Sequence, residues 1–138
     1  MEGKLETLFE DIKKYLIEKN LDIEAIVLFG SYARNTQNDE SDIDIAIKCK
    51  SEIVSRTLLE QQQELEEITK KQIDLVDLSK ATDVFAYEIL MNGIVLYCSN
   101  SYEFDLYKLD RYRDFLELNE SRQAIIQAIK RGEGIYGK

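Results

Sequence analysis

Leu28-Phe29-Gly30-Ser31, followed after ten residues by Asp42-Ile43-Asp44-Ile45, is the stretch whose reading decides the fold. The run from Ile23 to Phe29 is mostly apolar, the pattern of a buried strand. It breaks at Gly30-Ser31, where a residue without a side chain lets the backbone approach a ligand closely. A short helix over Tyr32-Ala33-Arg34 is predicted next. Unpaired N–H groups at a helix start, together with the Ser31 hydroxyl, make a phosphate cradle. After a polar turn over residues 35–41 the chain re-enters a strand, predicted over residues 42–49. Alternate residues of a strand point to the same face, so Asp42 and Asp44 project together. A phosphate cradle facing a carboxylate pair implies metal-assisted phosphoryl chemistry.

Upstream, Leu5, Leu8, Phe9, Ile12 and Leu16 recur at helical spacing, which predicts an amphipathic helix over about residues 4–19, stopped by Asn20. Downstream, Val54, Leu58, Leu65 and Ile68 mark one face of a helix within residues 51–71, with Ser51-Glu52 at its start and Gln61-Gln62-Gln63 as a polar patch. A third strand over residues 72–78 carries Asp74 between Ile73 and Leu75, as Asp44 lies between Ile43 and Ile45. If those flanking residues pack under helices, Asp74 shares the open face with Asp42 and Asp44, and Asp77 falls on the opposite face. Ser79 is the expected cap of a helix over about residues 81–91 that ends at Asn92-Gly93, before a fourth strand over residues 93–98.

Beyond residue 101 a long helix is predicted to about residue 131, with Gly132 and Gly134 loosening the tail. Its apolar residues Leu109, Tyr112, Phe115, Leu116, Leu118, Ile125, Ile126 and Ile129 spread over an arc of roughly 200° at 100° per residue. One-sided packing needs a stripe of only about 100°. The surplus calls for a second surface to bury, a partner chain or a second copy, in preference to deep wrapping by its own domain.

With 138 residues, of which 44% are hydrophobic, the chain makes one domain (core 1–100, then the helix over about 102–131 as a partner interface). No apolar run is long enough for a bilayer and the N-terminus alternates charge, so neither a membrane span nor a signal peptide is expected. A cytoplasmic location follows from that reading, with Cys49 and Cys98 as buried thiols in preference to a disulfide. The absence of histidine excludes Ser-His and Cys-His catalysis and histidine zinc sites. A net charge of -9 argues against direct nucleic-acid binding. Residues 101–138 hold seven basic and seven acidic residues, so the net negative charge resides in residues 1–100.

The spacing of Gly30, Ser31, Asp42 and Asp44 resembles the signature of DNA polymerase β-like nucleotidyltransferases, and the size of the chain is similar to the minimal nucleotidyltransferases that act as antitoxins to HEPN-domain toxins. The resemblance implies an α+β nucleotidyltransferase fold, a small mixed sheet of about four strands flanked by helices with a long C-terminal helix. It implies two Mg²⁺ ions held by Asp42 and Asp44, with Asp74 on the ion nearer the nucleophile, and ATP as substrate. Gly30 and Ser31 would hold its terminal phosphates; Arg34 is placed either on a phosphate or in solvent. Asn35 stands where many relatives carry glycine, and asparagine also tolerates a left-handed backbone. The implied activity is transfer of AMP to a hydroxyl, a tyrosine's by analogy, of a HEPN ribonuclease toxin. Two other readings stay open: a nucleotidyltransferase for a small hydroxylated molecule such as an aminoglycoside, and an antitoxin that neutralises by binding alone. The intact carboxylates weigh against the binding module, and the broad apolar helix against the small-molecule enzyme.

Overall fold

The computed structural model describes residues 2–38 and 40–130. In chain order the elements are α1 (Glu2–Lys19), β1 (Ile23–Phe29), α2 (Gly30–Ala33), β2 (Ile43–Cys49), α3 (Ser55–Thr69), β3 (Ile73–Asp77), a 3-10 turn (Leu78–Lys80), α4 (Asp83–Asn92), β4 (Ile94–Cys98) and α5 (Ser101–Lys130). The four strands form one sheet in the order β3-β2-β1-β4. β1 runs antiparallel to both β2 and β4, and β2 runs parallel to β3, so the sheet is mixed. The parallel pair needs a crossover, and α3 provides it.

Side-chain alternation divides the core into two layers. Ile43, Ile45 and Ile47 of β2, with Ile73 and Leu75 of β3, pack on one face with Ile12, Leu16 and Leu65. The other face is built from Ala25, Val27 and Ala46 beneath Leu78, Ala86, Ile89 and Phe104. β1 is central, and Ala25 to Leu28 are all buried, as a continuous apolar run predicts for a strand covered on both sides.

Three local expectations are corrected. The third helix begins at Ser55 with Val54 as its N-cap, because Ser51 instead donates from its N–H and hydroxyl to the Asp22 carboxylate. Its packed face is also rotated: Val54 and Ile68 are exposed, and Gln61 is buried in a reciprocal amide pair with Asn20, at 2.8 and 3.1 Å. Thr82, not Ser79, caps α4 by accepting the Phe85 N–H, whereas Ser79 bonds to Asp77. Cys49 is buried and Cys98 half-buried, both free thiols.

The glutamine-rich part of α3 also has a structural task. Gln62 accepts the Leu75 N–H at 2.9 Å and Glu66 accepts the Ile73 N–H at 3.1 Å, which covers the otherwise open edge of β3. The glycine-bearing tail expected after residue 131 lies outside the described residues.

α5 is 30 residues long, and Phe104 is its one buried side chain among the described residues. Its apolar residues Leu116, Ile125, Ile126 and Ile129 are 41–57% exposed, so the chain's own domain does not wrap that arc. No helix among the described residues is long and apolar enough to cross a membrane.

Candidate active site

Antiparallel pairing brings the end of β1 beside the start of β2, and parallel pairing brings the start of β3 to the same end. Phe29 is registered against Asp44, and Asp44 in turn against Asp74. Gly30, Ser31, Arg34, Asp42, Asp44 and Asp74 therefore gather at one end of the sheet. Across that end the order is the Gly30-Ser31 loop, then Asp42 and Asp44, then Asp74. Ile43, Ile45, Ile73 and Leu75 are buried on the α1/α3 side, so Asp44 and Asp74 face away from that layer; Asp42 falls one residue before β2, outside the expected strand, with its charge acting on Asp44.

Gly30 adopts φ +74°, and a Cβ there would overlap the Asp44 carboxylate. Both the left-handed backbone and the close approach require glycine. α2 starts at Gly30 with Phe29 as its N-cap, and no side chain caps its first N–H groups. Those donors are free for an anion. Asn35 has φ +58°, so the turn is made with asparagine in place of glycine.

Asp44 is half-buried, and its pKa is raised to about 6 by burial and then by the charges of Asp74 and Asp42, with partial relief from the Arg34 guanidinium. Crowded carboxylates of one sign are neutralised by a divalent cation. Their hard oxygen donors suit Mg²⁺ or Mn²⁺ in preference to softer metals. Among the described residues no three His, Cys, Asp or Glu side chains close around a common point. The carboxylates line an open face, which leaves positions for water and phosphate oxygens, as Mg²⁺ sites commonly do.

Two further charged residues have other work. Asp77 is buried on the opposite face and accepts from the Ser79 N–H and hydroxyl, at 3.1 and 2.8 Å, and from the Ile53 N–H at 3.4 Å. It is a turn cap, away from the carboxylate face. Lys48 does share the face of Asp44, but at the far end of β2. There it pairs with Glu24 at 2.6 Å and lies 4.8 Å from the centre of the Tyr107 ring, tying α5 to the sheet.

No sequence motif marks the face that α4 turns toward Gly30. Phe85, Glu88 and Asn92 stand at i, i+3 and i+7, one helical face, and line a cavity of about 270 Å³ with Gly30 and Arg34. The available signal was two polar residues sharing a face with an aromatic one, a pattern that helical periodicity alone does not distinguish from a solvated flank.

A mixed sheet with a glycine-serine loop after its first strand, one aspartate just before the next strand and one on it, and a third in register beside them defines the nucleotidyltransferase class. The chain belongs to the polymerase beta nucleotidyltransferase family, which matches residues 10–102. Among similar proteins is the protein adenylyltransferase MntA of Shewanella oneidensis, 31% identical over 107 residues, 78% of this chain and 76% of that protein. Another, from Methanocaldococcus jannaschii, is a candidate protein adenylyltransferase, 36% identical over 74 residues, 54% of this chain and 74% of that protein. Among solved structures, a toxin–antitoxin complex with AMP-PNP holds a chain that superposes with a TM-score of 0.77 at 30% identity, covering 88% of this chain and 98% of that one. The tri-AMPylated HEPN toxin of S. oneidensis in complex with its MNT antitoxin matches with a TM-score of 0.76 at 26% identity, covering 91% and 98%.

Proposed function

We propose that this chain is a Mg²⁺-dependent protein adenylyltransferase and antitoxin, transferring AMP from ATP to a hydroxyl, a tyrosine's by analogy, of a cognate HEPN toxin in the cytoplasm. The observation that carries the reading is the register of Asp44 with Asp74 on one face, beside a Gly30 loop that tolerates no side chain. The relatives with adenylyltransferase activity and the HEPN–MNT complexes support the acceptor.

In this reading Asp42 and Asp44 would hold two Mg²⁺ ions, and Asp74 would bind the one nearer the acceptor. When bound, Mg²⁺ would supply charge neutralisation at the phosphates and a lower pKa for the acceptor hydroxyl. The N–H groups at Gly30 and Ser31 receive the terminal phosphates, and Arg34 adds positive charge beside them. The acceptor oxygen forms a bond to the α-phosphorus while the bond from that phosphorus to the bridging oxygen breaks. Pyrophosphate leaves on the Gly30 side, and the acceptor's proton is taken by the Asp74 carboxylate and released to solvent. α5 beyond Phe115, with Ile125, Ile126 and Ile129 exposed, is the docking surface for the toxin.

The test is incubation of the chain with Mg-ATP and the purified toxin, read by mass spectrometry of the toxin and by pyrophosphate release. Addition of AMP by the parent is expected. Asp42→Ala combined with Asp44→Ala should abolish it while the domain stays folded. Full transfer by the folded double variant would sink the metal assignment.

A further inference from the structure

The two edges of the sheet are finished differently. β3 is closed by side chains of α3, where Gln62 and Glu66 accept the Leu75 and Ile73 N–H groups. β4 is the other edge. Among the described residues, nothing bonds to the backbone groups that β4 turns away from β1. Ile94 and Val95 are 47% and 45% exposed, and as neighbours on a strand they show apolar surface on both faces of the sheet. Met91, at the end of α4 just before them, is exposed as well.

Charge sets β4 apart too. β1 carries Glu24, β2 carries Asp44 and Lys48, and β3 carries Asp74 and Asp77, whereas β4 reads Ile-Val-Leu-Tyr-Cys. The 14 residues from Ile89 to Tyr102 form the longest run without a charged side chain, in a chain of which 33% is charged. Unpaired N–H and C=O groups are a template for another strand, and sheets usually blunt an open edge with lysine, proline or an inward charge. β4 has none of these. It has a bulge, one residue more than β1 at Leu96, which adds twist without adding charge.

An occupant of this edge brings a strand with free backbone groups and approaches a chain of net charge -9. A second copy of this chain meets both conditions. Its own β4 is an open strand of equal length, and two uncharged runs lie antiparallel about a two-fold axis with no like charges set opposite one another. Elsewhere two such acidic chains repel. We propose that β4 is a self-association edge: two copies pair β4 to β4, antiparallel, joining their four-stranded sheets into one continuous sheet. Five paired residues are a small contact beside the roughly 1,200–2,000 Å² of a standard interface, so the dimer is reversible and depends on concentration. The proposal goes beyond the catalytic reading, and neither depends on the other.

The experiment is sedimentation velocity of the full chain from about 5 to 500 μM, the range suited to so small an interface, with backbone hydrogen exchange read at both ends of that range. The parent should pass from monomer to dimer as concentration rises, and the β4 amides that do not bond to β1 should exchange several-fold more slowly. Val95→Lys, at an exposed position, should stay monomeric throughout while melting like the parent. Leu59→Lys, at an exposed apolar position on α3, should dimerise like the parent. A parent that stays monomeric, or a dimer whose β4 amides exchange at the monomer's rate, would overturn the proposal whatever the variants do. So would a dimer that survives Val95→Lys, or one lost equally in Leu59→Lys. Slowing of the β4 amides only when the purified toxin is added would give the edge to the toxin and overturn self-pairing.

Discussion

Asp44 and Lys48 lie four residues apart on the same face of β2, yet their surroundings are opposite in kind. Lys48 has a carboxylate partner at 2.6 Å and the Tyr107 ring over its ammonium group. Asp44 faces two charges of its own sign, only partly relieved by Arg34, and a Gly30 whose Cβ would overlap its carboxylate. At one end of the strand charge is satisfied and fastens a helix to the sheet. At the other it is crowded by like charges, at a cost in stability, and this is the end to which the proposed function assigns a cation and a phosphate chain. Crowded charge of one sign is what the proposed functional end shows, and paired charge is what the structural end shows.

The largest effect that could break this contrast is on rate. Asp74→Asn should slow transfer by about a hundredfold or more with little change in melting temperature, because the proposed ligand at the acceptor side is lost and a repulsion relieved. Asp77→Asn should do the reverse, sparing the rate while weakening the cap on the 3-10 turn by about 1 kcal/mol. Steady-state kinetics and thermal melts of the pair decide it, and the opposite order would show the two faces of β3 misassigned.

Next in size is Lys48→Met. It leaves the half-buried Glu24 without its partner and should lower stability by about 2 kcal/mol, less than for a fully buried pair. Transfer by the folded protein should persist at the parental rate. A stable but inactive Lys48→Met would move Lys48 into the site and erase the comparison.

A smaller effect concerns pH in the metal-free protein. The folded pKa of Asp44, about 6, lies above the ordinary aspartate value of 3.8, so the unfolded chain ionises first as pH rises. The cost to the folded state is therefore absent below about pH 4, grows between 4 and 6 and is complete above 6. Asp44→Asn should melt higher than the parent above pH 6, by on the order of 1 kcal/mol once solvent screening of this half-exposed group is allowed for. The gain should vanish near pH 4. Equal melting temperatures at pH 8 would mean that the carboxylates do not strain one another.

The smallest stability change is expected on α5. Ile125→Glu and Ile129→Glu, at positions 47% and 57% exposed, should leave the isolated chain within about 0.5 kcal/mol of the parent. Modification of the toxin should nonetheless fall. A variant that is stable and still modifies the toxin at the parental rate would remove this helix from the interface.

The facing of the carboxylates was legible in the sequence because it depends on local geometry. A strand repeats every two residues, so Ile43, Ile45, Ile73 and Leu75 betray the direction of Asp44 and Asp74, and they place Asp77 on the other side. Gly30 and Ser31 were legible through their spacing from Asp42 and Asp44. Other features depended on partners distant in the chain. Ser51 reads as a helix start until Asp22, 29 residues away, takes its donors. Gln61 reads as solvated until Asn20, 41 residues away, completes its amide pair. The strand order β3-β2-β1-β4 sets Asp44 directly beside Asp74, and the docking of α4 near the Gly30 loop creates the cavity lined by Phe85 and Glu88. Local backbone geometry repeats along the chain and can be read from it. Contacts between distant segments depend on which surfaces fit best once the chain closes on itself, and only the tertiary structure decides those.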